Sequence, residues 1–431
     1  MAFGFGFSNG GSRVIVGPTP GTFLRAANTS RVDILMIGDS NQLLSGHGWD
    51  HGLHKACHDR WGLYATGYMP ANTNSGSGSG QGYFYGSINP GAASPHGQVT
   101  GAPTFFADRW AWTNGFQYAY FRNGEADTFG GNNGMQMIKG GPWDMRGDFR
   151  GHFCYGAFET AGGGFTAGVR WEESPYWPLA SDVAASASDA SDQIKIATID
   201  VDADAERSNL NIGFRWYRAG AANVSGEMFA LYQRVEVPSR TSGVAVHTMH
   251  GVGGQSLYDM AAEFIALPDE TIMQALLESR RLQGETKRTI IWVNSGLNDR
   301  GETQTSLGPL GSTDGDSADA YADNLHALVT RIESCWLKSG YPLSELAWVV
   351  MPSHPVDDPD DSELVAYRTA AAAYCEQAGR FKFIDLAALT NEAEMLANSW
   401  YASGGADRAH LASATAYEVL AGRALAEALR D

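Results

Sequence analysis

A chain of 431 residues is longer than one hydrophobic core usually supports, so two domains, or one domain carrying a large insertion, are expected. Its formal charge of −18 repels phosphate backbones and anionic lipid, which argues against nucleic acid and membrane surfaces as partners and favours a neutral or weakly charged substrate. The four cysteines, Cys57, Cys154, Cys335 and Cys375, stand without paired spacing and read as free core thiols, not as a disulfide framework or a zinc site.

Residues 1–30 are rich in Gly, Phe, Thr and Pro, show no period, and read as an N-terminal arm. No basic segment followed by an apolar run opens the chain, and no apolar window reaches membrane-spanning length. The expectation is a cytoplasmic protein by default, with export as a mature form or as a virion or appendage component left open. Gly6-Phe7-Ser8-Asn9-Gly10 fits the G-x-S-x-G pattern of a nucleophile elbow, but no strand precedes it, and the pattern has meaning only between a strand and a helix.

Arg31 to Leu44, RVDILMIGDSNQLL, is the stretch that organises the chain. Alternating and β-branched apolar residues end in Gly38-Asp39-Ser40-Asn41, and helix-compatible residues follow, which predicts a strand, a tight turn and a helix start. A serine there stands at the carboxyl end of a parallel strand and near free backbone N–H groups, a setting that suits a nucleophile. The same residue would also serve simply as a helix cap.

The following segment, NQLLSGHGWDHGLHKACHDRWG, reads as a helix weakened by Gly46, Gly48 and Gly52. His47, His51, His54 and His58 share one face at helical spacing, opposite Trp49, Leu53, Ala56 and Trp61. That offset makes the histidine stripe a solvated outward face, with a metal site including Asp50 as the sharper and less economical reading.

From Tyr64 to Ala245 the character changes. Gly, Ser and Asn are dense, aromatic residues such as Phe105, Trp110, Trp112, Trp171 and Trp177 are frequent, and short alternating runs recur between turn residues. This predicts an inserted β-sandwich or jelly-roll-like domain over 64–245. Most of its aromatics are expected between the sheets, with some free to stack on sugar faces. Asp200, Asp202 and Asp204 alternate on one strand and read as a solvated face, because a calcium loop would need a glycine where Ala205 stands.

Residues 246–431 return to strands alternating with helices, which together with 31–63 predicts right-handed βαβ units and a parallel sheet covered on both faces. Chemistry in such a sheet lies at the carboxyl ends of its strands. Those places hold Ser40, the turn Gly251–Gln255, the loop Asn294–Arg300 and the loops after Met351 and Leu386, and the segment YASGGADRAHLAS closes the set. A serine hydroxyl needs a base, imidazole is the side chain best matched to that task, and a carboxylate can orient it. Asp407-Arg408-Ala409-His410 supplies both in what reads as one short turn. Gly254 and Asn298 stand where donors to an oxyanion would be needed, with Gly253 as the fallback glycine; Gly67, Gly80 and Gly82 come sooner after Ser40 but lack a following helix. His247, His250 and His354 are rival bases, and none has a carboxylate three residues before it.

Gly38-Asp39-Ser40, the turn glycine Gly254, Gly296-Leu297-Asn298-Asp299 and Asp407-Arg408-Ala409-His410 together resemble the four sequence blocks of the SGNH (GDSL-type) hydrolase family, in that family's order. The resemblance spans about residues 31–63 and 246–431. It implies a flavodoxin-like three-layer α/β/α core and ester hydrolysis through an acyl-enzyme with neither metal nor cofactor. It implies Ser40 as nucleophile, His410 as base and Asp407 as its orienting partner, with an oxyanion hole made of the Ser40 N–H, the Gly254 N–H and the Asn298 amide. Two departures stand out: Asn41 occupies a position where leucine is frequent, which reads as a mild change, and the β-rich segment separates the first block from the second. The insertion and its aromatics point to an acylated carbohydrate as substrate, most simply an acetyl ester. An esterase acting on other acyl esters, a sugar O-acyltransferase and a non-catalytic carbohydrate-binding or structural protein are the alternative readings of the same residues.

Overall fold

The structure, a computed structural model, describes residues 18–42, 48–65, 236–251, 254–280, 287–300, 306–307, 318–356, 361–377, 379–402 and 407–430, together with the backbone of the strands between 69 and 235. Five strands make the central sheet: β1 (Arg31–Gly38), β2 (Gly243–Gly251), β3 (Thr289–Ser295), β4 (Leu346–Pro352) and β5 (Phe381–Phe383). Their order is β2-β1-β3-β4-β5 and every neighbouring pair is parallel. This is the flavodoxin-like order.

Nine helices are described, α1 (Pro20–Ala26), α2 (Trp49–Trp61), α3 (Leu257–Ala266), α4 (Asp269–Arg280), α5 (Ala318–Lys338), α6 (Asp361–Cys375), α7 (Leu386–Leu389), α8 (Glu392–Ala397) and α9 (Ala414–Ala428). On one face of the sheet Val32, Ile34 and Met36 of β1 meet Phe23 and Leu24 of α1, Trp49 and Leu53 of α2, and Tyr417 and Leu420 of α9. On the other face Leu35 and Ile37 meet Met260 of α3, Ile272 of α4, Leu328 of α5 and Tyr367 of α6. Helices therefore cover both faces, which is why β2, β3 and β4 are buried along their whole length and read as near-continuous apolar runs. The three-layer α/β/α core is the one that the resemblance to the SGNH hydrolases implies.

Two local readings change. The segment read as a lead-in arm contains α1, seven residues capped by the Thr19 hydroxyl and started by Pro20. Its three buried side chains, Pro20, Phe23 and Leu24, are too few to set up a period.

The histidine stripe of α2 is not an outward face. His51 and His54 are buried, and His58 keeps part of its side chain in solvent. The helix packs against the sheet on one side and against α9 on another, so both sides of an amphipathic reading are covered. His51 Nε2 lies 2.8 Å from Glu418 Oε1 of α9, and His54 Nδ1 donates to the Asp50 carbonyl at 2.6 Å. Gly52, which seemed to weaken the helix, permits this approach: a Cβ there would lie 2.4 Å from the Tyr417 carbonyl oxygen. Among the described residues no three His, Cys, Asp or Glu side chains converge as a metal ion would require; His47 lies outside them.

Between α2 and β2 the described strands pair antiparallel in two sheets. One runs 69–70, 227–236, 147–158, 193–203, with 119–121 also paired to 227–236; the other runs 85–88, 135–138, 213–219, 166–170, 185–186. The chain leaves and re-enters the core through parallel pairing of Leu63 with Val244 and antiparallel pairing of Ala65 with Glu236. Asp200 and Asp202 lie on the 193–203 strand, but their side chains, Asp204 and the aromatic residues from Phe105 to Trp177 lie outside the described residues. Cys57, Cys335 and Cys375 are free and buried, as the sequence predicts; the Cys154 side chain lies outside the description. Among the described residues no helix is long and apolar enough to cross a membrane.

Candidate active site

β1 ends at Gly38, which pairs with Gly251 of β2 and with Asn294 of β3. The loops after β1, β2 and β3 thus leave the carboxyl edge of the sheet side by side. Gly38 is tightly surrounded, since a Cβ there would lie 2.9 Å from Gln42 Oε1 and 3.1 Å from the Asn294 carbonyl oxygen. The chain then turns at Asp39, whose carbonyl accepts the Gln42 N–H at 3.0 Å and whose Oδ1 accepts the Asn41 N–H at 2.9 Å. Ser40 opens a single 3-10 turn, Ser40–Gln42, and α2 begins only at Trp49, so the continuous helix start read from the sequence is replaced by this tighter turn.

The Ser40 Oγ lies 2.9 Å from His410 Nε2, across 370 residues of chain. His410 is on β7 (Asp407–Leu411), which pairs antiparallel with β6 (Tyr401–Ala402). The sequence reads Asp407–His410 as a short turn, whereas the structure extends it. Tyr401 and Ala402 are adjacent on β6, yet their partners Leu411 and Asp407 lie four residues apart, so Arg408, Ala409 and His410 bulge between the two pairs. Bulges of this kind re-aim side chains and are frequent beside active sites. The side chain of Asp407 lies outside the described residues.

The turn after β2 carries Gly254 at φ 79° and leads into α3, which is capped by a reciprocal pair between Ser256 and Asp259. The loop after β3 is tied to that turn twice. Asn298 Nδ2 donates to the Gln255 carbonyl at 3.1 Å, and the Asp299 carboxylate accepts the Leu257 N–H at 3.0 and 3.1 Å. The second and third blocks therefore form one hydrogen-bonded unit. In the sequence Asp299 stands out only as part of its block, and its cross-loop bond to the first residue of α3 has no local sequence signal. Gly253, the fallback glycine, lies outside the described residues, as do Gly67, Gly80 and Gly82.

The rival histidines have other bonds. His247 Nε2 donates to Asp33 Oδ1 at 2.7 Å, beside Tyr64, whose hydroxyl donates to the same oxygen. His250 Nε2 donates to Gln255 Oε1 at 2.6 Å, and Gln255 Nε2 donates in turn to Glu263. His354 Nε2 donates to the Arg408 carbonyl at 3.1 Å. The histidine that meets the Ser40 hydroxyl is His410.

Asn41 is more than a mild departure. It is buried, its Nδ2 donates to the Ala409 carbonyl at 3.0 Å, and its Oδ1 accepts the Tyr417 hydroxyl at 2.6 Å. A leucine would provide neither bond. Burial pushes the neighbouring Asp39 carboxyl up to about 6, an effect partly offset by its hydrogen bonds from Asn41 and by nearby His410. At the start of α2, burial pushes Asp50 up to about 7, against the opposing hydrogen bond from the His51 N–H.

No protein-family model and no curated protein sequence matches the chain. Among solved structures it is similar to a peptidoglycan O-acetylesterase, at 14% identity over 96% of each chain and a TM-score of 0.49. A family two carbohydrate esterase from Clostridium thermocellum, solved with cellohexaose, matches at 11% identity over 72% of this chain and 97% of its own, with a TM-score of 0.28. A salicylyl-acyltransferase from a tetracycline biosynthetic pathway matches at 11% identity over 68% of this chain and 81% of its own, with a TM-score of 0.29.

Proposed function

We propose that the protein is a serine ester hydrolase that works through an acyl-enzyme, and that its substrate is an acetylated carbohydrate. The observation that carries the reading is the 2.9 Å contact between Ser40 Oγ and His410 Nε2 at the carboxyl edge of a parallel sheet. That distance is within hydrogen-bond reach for a nucleophile and its base. In this reading His410 takes the Ser40 proton as Oγ attacks the ester carbonyl, then gives it to the departing alcohol, and water cleaves the acyl-enzyme by the same route. Asp407 orients the imidazole. The Ser40 N–H, the Gly254 N–H and Asn298 Nδ2 receive the oxyanion; an amide nitrogen carries two protons, so the bond of Asn298 to Gln255 leaves one for substrate. The carbohydrate assignment rests on the sequence of residues 64–245, read as an inserted β module whose aromatic side chains offer stacking faces.

The test is release of p-nitrophenol from acetyl, butyryl and octanoyl esters by the wild type and by Ser40→Ala, with acetylated xylan alongside. Serine-dependent activity strongest on acetyl and on the polymer is expected. A preference for octanoyl would move the substrate to lipids or polyesters. Transfer to an added sugar outrunning hydrolysis would make the protein an acyltransferase, and activity equal to that of Ser40→Ala on every ester would remove the enzymatic reading.

A further inference from the structure

His410 lies in the part of β7 that bulges between its two pairings with β6, so its position depends on what else holds that segment. Two buried side chains from different loops of the core do so. Asn41, directly after Ser40, donates Nδ2 to the Ala409 carbonyl at 3.0 Å, and His354, in the loop after β4, donates Nε2 to the Arg408 carbonyl at 3.1 Å. Both are about 1% exposed. A carbonyl oxygen only accepts, so each contact fixes its donor: the amide nitrogen of Asn41, and a protonated Nε2 on His354. The Asn41 orientation is set a second time by the Tyr417 hydroxyl on its Oδ1. Successive carbonyls of an extended chain point to opposite sides, which is why two adjacent residues can be gripped from two different loops.

We propose that Asn41 and His354 are positioning residues that jointly hold the Arg408–Ala409 backbone and so set His410 Nε2 against Ser40 Oγ. The proposal rests on the reading of Ser40 and His410 as a nucleophile and base. It makes the residue after the nucleophile part of the base's support, so that one displacement of the turn moves both reacting groups together. It also gives His354 a role other than that of a second base. Outer bonds of this sort matter because a displacement of about 1 Å in a reacting group can cost about a hundredfold in rate.

The experiment uses the full chain and two probes, p-nitrophenyl acetate for kcat and KM and a fluorophosphonate for the rate of Ser40 labelling, each taken per folded molecule from a melting curve. Asn41→Leu keeps the branching of the side chain and removes both amide bonds. His354→Leu removes the ring donor, and His354→Gln returns an N–H at the reach of Nε2. The two leucine variants are expected to lose about tenfold to a hundredfold in kcat and in labelling rate, with KM within about twofold, and His354→Gln to recover most of that loss. Where Asn41→Leu does not fold, Asn41→Ser, too short to reach Ala409, carries the same expectation. Leucine variants that melt earlier but keep kcat would overturn the proposal in favour of a purely structural role, and a His354→Gln as slow as His354→Leu would overturn it in favour of imidazole chemistry. A wild type inert to the phosphonate would sink the Ser40 reading as well, whereas a reactive wild type with unaltered variants would sink this inference alone.

Discussion

Two stretches of this chain bring histidines and carboxylates together at short spacing, and they end in opposite circumstances. In α2, Asp50, His51, His54 and His58 lie on a regular helix that is enclosed by the sheet and by α9, and the buried histidines are spent on Glu418 and on the Asp50 carbonyl. In β7, Asp407 and His410 lie on a short bulged strand, and His410 reaches Ser40. The denser cluster belongs to packing and the sparser one to the candidate site. What separates them is position in the fold: α2 lies along a face of the sheet, where a side chain meets another helix, while β7 meets the loops after β1 and β4 at the carboxyl edge. Residue type and spacing are alike in kind, and location decides.

Substitution of the two histidines is the strongest way to break that contrast. His410→Ala is expected to lower ester hydrolysis by about a thousandfold or more, because removing one member of a nucleophile–base pair leaves only binding and oxyanion stabilisation. Initial rates of p-nitrophenyl acetate hydrolysis, with the fold checked by circular dichroism, decide it, and a loss below tenfold would mean that another group serves as base.

The next effect concerns pH and stability in α2. Burial raises Asp50 from 3.8 to about 7, so between those values the folded chain keeps a proton that the unfolded chain releases. Its contribution to stability is therefore greatest in acid and is lost as pH rises through the window. A tenfold change in proton affinity is worth about 1.4 kcal/mol, so the loss is on the order of a few kcal/mol. The difference in melting temperature between wild type and Asp50→Asn, followed from pH 4 to pH 8, should move in favour of the variant as pH rises; a constant difference would show that the carboxyl is not so raised.

Gly52→Ala comes third. Alanine is the better helix former by about 1 kcal/mol, yet its Cβ would press on the Tyr417 carbonyl and force α2 and α9 apart, with a net destabilisation of about 1–3 kcal/mol by chemical denaturation. A stabilised variant would mean that the two helices adjust freely. The smallest effect is that of His51→Ala, which loses the bond to Glu418 and is expected to cost about 1 kcal/mol with kcat unchanged. A fall in kcat matching that of His410→Ala would erase the contrast between the two stretches.

The parallel sheet, the helices between its strands and the four loop blocks were legible in the sequence because each rests on local pattern. A strand buried on both faces is an apolar run, and a helix against a sheet repeats its apolar residues every three to four positions. Ser40 and His410 could be singled out for the same reason, as residue types at the ends of such elements. The fate of the α2 histidines was not legible, since whether a face meets water or another helix depends on α9, more than 350 residues later in the chain. The weight of Asn41 was hidden likewise: its partners, Ala409 and Tyr417, are 368 and 376 residues away. Local pattern determines which elements form and which side chains are available. Only the packing of distant elements against one another decides which of those side chains are enclosed, which are bonded, and which two meet at 2.9 Å.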